Sequence, residues 1–306
     1  MNIFVTGATG VLGRSCVHLL LHAGHHVRGL ARSAANLVTI QELGGEPIEG
    51  DLFDPVSVHR AMPGCEAVLH LATKIPPLNK MKQPDAWAEN DRIRRDGTRN
   101  LVDAALANRA TTLLYPSICL AYGDSAANWI EAPTATVRPS KLTESTLAAE
   151  AEVQRFSAAG NRGIVLRMGT FYGRQPSQTI LDLAKYGMAA AFGGADTYRS
   201  SIWIDDAASA VVAALAKAPA DTFDIVDDEP LTNQDTIEAM AAAAGKRTLS
   251  RLPQFALRWT VGSELMEVLS RSQRVSSRRF KDATGWIPQV PSARLGWRLI
   301  TGRSPG

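Results

Sequence analysis

Thr6-Gly7-Ala8-Thr9-Gly10-Val11-Leu12-Gly13 follows a short β-branched run at residues 3–6 and precedes a stretch, residues 14–23, whose apolar side chains recur at helical spacing. That context gives the three glycines their meaning. Gly7 permits a tight turn, Gly10 lets the backbone approach a pyrophosphate, and Gly13 allows a helix to pack closely on a strand. The helix start, with Thr9, Val11 and Leu12 around it, turns its amide protons toward phosphate charge. The segment predicts the first strand–turn–helix of a dinucleotide-binding sheet.

Outward from it, further strand-like runs at 27–31, 67–71, 112–117 and 163–168 alternate with helical stretches at 33–43, 85–107 and 142–159. Such alternation predicts an α/β fold, a Rossmann-type doubly wound parallel sheet. After Gly173 the rhythm shifts to shorter helices and Gly-rich connections, with one more strand-like run at 222–226. The expected division is a dinucleotide-binding domain over 1–172 and about 202–228, with a smaller, interleaved C-terminal substrate domain over about 173–201 and 229–306. No internal repeat or low-complexity linker is visible, and residues 302–306 are expected to fray.

Composition narrows the function classes. A net charge of +3 over 306 residues, with acids and bases interspersed, argues against a nucleic-acid partner. The one basic-rich run, residues 271–281, reads as a solvated helix face. Cys16, Cys65 and Cys119 are far apart and odd in number, which indicates neither a disulfide framework nor a zinc site. His18 and His22 have a metal-compatible spacing without an evident third ligand, so no metal is expected. No run of 18 apolar residues occurs, so no membrane partner is expected, and the absence of a leader-like start points to the cytoplasm.

The spacing G-x-x-G-x-x-G after Thr resembles the short-chain dehydrogenase/reductase superfamily, and other stretches resemble its extended branch, the NAD-dependent epimerase/dehydratase-like proteins. Gly50-Asp51-Leu52 resembles the adenine loop, and His70-Leu71-Ala72, followed by Thr73, the segment beside the nicotinamide ribose. Leu166-Arg167-Met168-Gly169, Phe171-Tyr172-Gly173 and Ile204-Asp205-Asp206-Ala207 resemble later segments, so the likeness spans nearly the whole chain. It implies a nicotinamide cofactor. An acidic residue at the end of the second strand would favour NAD, but Ala31 stands there, followed by Arg32 and Ser33. NADP(H) is therefore expected, with Arg32 on the 2′-phosphate or stacked on adenine.

The resemblance also implies a Ser or Thr after the fifth strand and a Tyr-x-x-x-Lys on the next helix. Neither tyrosine nor its lysine is found. A register anchored on Ser140-Lys141-Leu142 places Val137 at the tyrosine position; one anchored on Ala149-Glu150 places Leu142 there and Thr146 at the lysine. The second runs without gaps into Gly163, Leu166 and Arg167. Ser117, one residue before the customary serine position, and Tyr122 remain as catalytic candidates. Losing a general acid costs about 10²–10⁴ in rate, so hydride transfer survives if Ser117, water or a substrate hydroxyl supplies the proton.

Trp129, Phe171, Tyr172, Phe192, Tyr198 and Trp203 fall where the extended branch builds its substrate pocket, which favours a flat, bulky aromatic substrate over a sugar nucleotide. The reading is an NADPH-dependent ketoreductase of a polyketide-like aromatic ketone, resembling the tailoring ketoreductases of antibiotic pathways. A nucleotide-sugar epimerase or dehydratase and a non-catalytic NADP(H)-binding sensor are the rivals.

Overall fold

A computed structural model describes residues 1–77, 80–83 and 85–302. The central sheet has seven parallel strands: β1 (Asn2–Thr6), β2 (His26–Ala31), β3 (Glu46–Glu49), β4 (Ala67–His70), β5 (Thr112–Ile118), β6 (Arg162–Met168) and β7 (Asp221–Ile225). Their order across the sheet is β7-β6-β5-β4-β1-β2-β3, so the winding reverses between β1 and β4. At such a reversal the connections leave in opposite directions and a crevice opens beyond the strands' carboxyl ends.

The period of two in β1 explains why helices cover both faces. Ile3 and Val5 join one core with Cys16, Val17 and Leu20 of helix α1 (Val11–His22) and with Val211 and Ala214 of α8 (Ile204–Lys217). Phe4 joins the opposite core with Val58 of α3 (Pro55–Ala61), Leu101 and Val102 of α5 (Thr98–Ala107), and Val153 and Phe156 of α6 (Glu144–Ala158). The helix α2 (Ala34–Glu42) packs beside β2 and β3.

Two elements were not expected, β3 and α3. The β3 sequence, Glu-Pro-Ile-Glu, lies at the sheet edge and is half-buried, so it carries no alternating apolar signal. The single helix expected at 85–107 is broken into α4 (Ala88–Arg92), a π-helical turn at Ile93–Gly97 and α5. Gly97 lies in that turn against Leu52, where a Cβ would come within 2.7 Å of the Leu52 side chain.

Beyond Thr170 a separate core forms around Tyr172, Leu231, Ile237, Met240 and Trp297. It is built from α7 (Gln178–Lys185), α9 (Asn233–Ala244) and α12 (Ala293–Thr301), with α10 (Gln254–Val261) and α11 (Ser263–Leu269) beside it. The basic run 271–281 corrects its expectation. Arg271 is buried and donates to the carbonyls of Tyr122 and Arg138, Arg279 pairs with Asp221 at 2.6 Å, and Lys281 pairs with Asp228. Unsatisfied carbonyls and carboxylates beneath the run draw these cations inward. Residues 303–306 of the expected frayed end lie outside those described.

Candidate active site

The cleft at the reversal has a volume of about 970 Å³. One end is the glycine turn. Gly7 has φ +75°, and a Cβ there would fall 2.5 Å from the Ala72 amide nitrogen; at Gly13 it would fall 2.0 Å from the Gly7 carbonyl oxygen. At Gly10 a Cβ would meet only that carbonyl, at 3.2 Å, and otherwise project into open space. Gly10 also caps α1 without a side-chain bond, so the first-turn amides face the cleft unscreened. A cradle closed by backbone on two sides fits a pyrophosphate.

Around it, Thr9, Val11, Leu12, Arg32, Leu52, Leu71, Ala72 and Thr73 line the cleft, together with Asn36 and Phe53. Ser33 and Asp51 do not. Ser33 caps α2, accepting from the Asn36 amide at 3.3 Å, and the Asp51 carboxylate accepts from the Phe53 amide at 3.0 Å. Both serve the loops that present their neighbours. Arg32 pairs with Glu89 at 3.2 Å and lies 5.7 Å from the Phe53 ring, with more than half of its side chain exposed. His70 is buried, its Nδ1 2.7 Å from Thr6 Oγ1, and burial pushes its pKa down to about 4. It is a neutral strut between β1 and β4.

The second half of the cleft is mostly aliphatic. Leu120, Leu142, Met168, Val261, Leu265, Val268 and Leu269 form its walls, with Trp87, Phe171 and Phe192 the aromatics nearest the open space apart from Phe53. Of the six expected substrate aromatics, only Phe171 and Phe192 are there. Tyr172 is buried edge-on to Trp203, their rings 5.5 Å apart, in the separate core. Trp129 and Tyr198 both contact the Arg274 guanidinium, at 4.3 and 4.9 Å, outside the cleft. Residue type marked these positions as pocket-forming, but the face each presents depends on contacts far apart in sequence.

The catalytic candidates separate. Ser117 lines the cleft, but its hydroxyl donates to Glu150, and Glu150 is held by Arg167 through two bonds, at 3.0 and 2.7 Å. Tyr122 is fully buried away from the cleft. Its hydroxyl donates to Asp224 at 2.7 Å, its ring lies 4.9 Å from the Arg167 guanidinium, and burial beside Asp224 raises its pKa far above that of a free phenol. A phenol so placed neither reaches a ligand nor releases a proton near neutrality. Val137 pairs with Tyr122 outside the cleft, and Lys141 reaches Glu264 at 3.3 Å on the surface. Leu142, in contrast, lines the cleft, and Thr146 is buried one turn beyond it on α6.

Among the lining residues that sequence reasoning missed, one is a buried charge. Arg94, in the π-helical turn, lines the cleft while only 5% exposed. It lies in Arg92-Ile93-Arg94-Arg95, within the stretch expected to form one helix at 85–107, and nothing in that pattern marks it as buried.

Residues 3–226 match the model of the NAD dependent epimerase/dehydratase family. The chain belongs to that family. It is an NAD(P)-dependent oxidoreductase with relatives named as reductases. A 3-diazoavenalumate denitrifying reductase from a Streptomyces species is 30% identical over 97% of this chain and 99% of its own. A 2-alkyl-3-oxoalkanoate reductase from Shewanella oneidensis is 28% identical over 86% of this chain and 71% of its own. Among solved structures, a human epimerase family protein crystallised with NADPH superposes with a TM-score of 0.82 at 20% identity, covering 99% of this chain and 100% of that one.

Proposed function

We propose that the protein is an NADPH-dependent reductase of a flat aromatic small molecule, in which no protein side chain acts as the essential proton donor. The observation that carries this is Leu142, an aliphatic side chain in the cleft wall where the resemblance calls for a catalytic tyrosine. NADPH, when bound, supplies the hydride. The glycine cradle would hold its diphosphate and Arg32 would meet the 2′-phosphate, with a charge-assisted bond contributing about 1.5–3 kcal/mol. Of the described residues, those in 1–172 and about 202–228 would carry the cofactor, and those in about 173–201 and 229–306 would cover the acceptor.

Ser117 positions rather than protonates, because its proton is already engaged by Glu150. The first reading of the acceptor is a ketone beside a phenol, as in polyketide-like aromatics, with the adjacent hydroxyl or a water completing the reduction. This is the chemistry of antibiotic tailoring ketoreductases such as the angucyclinone ketoreductase of simocyclinone biosynthesis, which the chain resembles in lacking the pair. A second reading has its own support in the relative that removes a diazo group. An aryl diazonium that receives one hydride yields the arene and dinitrogen, Ar–N₂⁺ + H⁻ → Ar–H + N₂, and requires no proton at all. The missing tyrosine suits both readings, whereas epimerases and dehydratases of sugar nucleotides ordinarily depend on that base.

Incubation with NADPH and a panel of aromatic ketones, with and without an adjacent hydroxyl, and aryl diazonium compounds separates them. Cofactor oxidation by ketones bearing the hydroxyl supports the first reading, and gas release with arene formation the second. The Ser117→Ala variant is expected to keep most of its turnover. No oxidation with any acceptor supports the sensor reading instead.

A further inference from the structure

Arg94 is an arginine buried without a counter-ion. Its neighbours in sequence are partnered: Arg92 with Asp96 at 3.8 Å and Arg95 with Glu144 at 3.7 Å. Arg94 has no ion pair and no hydrogen bond among the described residues, and its Nε is sealed from solvent with no acceptor. The same neighbourhood has donors in surplus, since Asn90 Nδ2, one turn earlier, is also buried without an acceptor. An unpaired buried charge costs several kcal/mol. His70 nearby is neutral and offers Arg94 no compensating charge. The site lacks an anion.

We infer that Arg94 is the binding site for a carboxylate carried by the substrate. A guanidinium presents a planar fork of N–H donors that matches a carboxylate in a bidentate pair. The position is right for a substrate group. Arg94 opens into the cleft and is carried by the π-helical turn that packs on α6, the helix bearing Thr146 at the position of the absent lysine. Diphosphate binding is already served by the backbone of the glycine turn, and the 2′-phosphate by Arg32, so the anion left for Arg94 is not a phosphate of the cofactor. The printed names of both reductase relatives, an avenalumate and an oxoalkanoate, are those of carboxylates. The surrounding wall is aliphatic and accepts the rest of such a molecule.

This inference rests on the reductase reading for the location of the substrate, and its test does not need turnover. Full-length protein saturated with NADP⁺ is titrated calorimetrically with trans-cinnamate and, separately, with methyl cinnamate, which keeps the shape and loses the charge. The wild type is expected to bind the acid at least tenfold more tightly than the ester. Arg94→Gln is expected to abolish that preference, on the order of 10- to 100-fold, and Arg94→Lys to restore part of it. NADPH affinity should stay within twofold in both variants. Equal binding of acid and ester by the wild type overturns the inference without any variant, which matters if Arg94→Gln folds poorly. Loss of NADPH affinity in Arg94→Gln matching its loss of cinnamate also overturns it, because Arg94 then serves the cofactor. Acid-selective binding without oxidation of NADPH by any acceptor supports the carboxylate site and sinks the reductase reading. Turnover of uncharged ketones with no acid preference does the reverse.

Discussion

Placing a side chain at Gly10 and at Gly13 separates binding from folding within one turn. A valine at Gly10 would have its Cβ 3.2 Å from the Gly7 carbonyl and open space elsewhere, and Gly10 has an ordinary extended backbone with φ −73°. The fold should tolerate it, at about 1 kcal/mol for the poorer helix cap. The added methyls, however, fill the space a diphosphate needs. Losing two charge-assisted bonds of about 1.5–3 kcal/mol each weakens NADPH by at least about 10²-fold. At a concentration of about 100 times the wild-type Kd, NADPH stabilises by about 2.7 kcal/mol. With about 2.1 cal/mol/K of unfolding entropy per residue, that moves the melting temperature of this chain by about 4 °C. Gly10→Val should melt within about 2 °C of wild type without cofactor and show no shift with it. Gly13→Val should instead fail without cofactor, since its Cβ would lie 2.0 Å from backbone that has no freedom to move. An undiminished NADPH shift in Gly10→Val would refute the cradle, and equal stability of the two variants would refute the steric argument.

Three further outcomes are expected. Arg32→Ala should cut NADPH affinity on the order of tenfold to a hundredfold while leaving NADH unchanged, and equal wild-type affinities for the two cofactors would contradict the role of Arg32. Tyr122→Phe should retain turnover but lose about 1–2 kcal/mol in chemical denaturation, because it strips a donor from buried Asp224; a hundredfold loss in kcat with unchanged stability would restore Tyr122 as an acid. Asp227 is buried, and desolvation pushes its pKa up to about 8. Because this folded-state value lies above the unfolded one, the native protein holds a proton the unfolded chain has released. Stability from this group is then lost as pH rises from about 4 to about 8, by up to about 1.4 kcal/mol per unit, and the loss is unopposed between about pH 6.5 and 8. Below that window His70, with its lowered value, acts with the opposite sign. Melting curves of Asp227→Asn should lack the decline.

How legible each part was depended on where its information resides. The glycine turn was readable because its function is carried by backbone, and backbone needs at Gly7 and Gly13 restrict residue type directly. The five expected strands of the first half fall within a residue or two of β1, β2, β4, β5 and β6, since burial on both faces makes them nearly continuous apolar runs. The edge strand β3 has no such burial and left no trace. Tyr172 and Trp203 were assigned to the pocket on type alone, whereas they pack into the separate core with Trp297, more than ninety positions further along the chain than Trp203. Likewise the wall from Val261 to Leu269 reaches the cleft only through tertiary packing. Arg94 differs from Arg92 and Arg95 in facing inward rather than toward solvent, and no local pattern announced that direction.

The strand β7 has a consequence for how the protein is made. It completes the sheet by pairing Asp221 with Ile164 of β6, after an excursion through α7, α8 and the glycine-rich connections. A ribosome adding about 5–20 residues per second leaves β6 with a naked row of amides and carbonyls for several seconds before its partner exists. An uncovered apolar strand edge is a template for pairing with other chains. Yield in recombinant production should therefore depend more on this interval, and on chaperones present during it, than on the stability of the finished molecule.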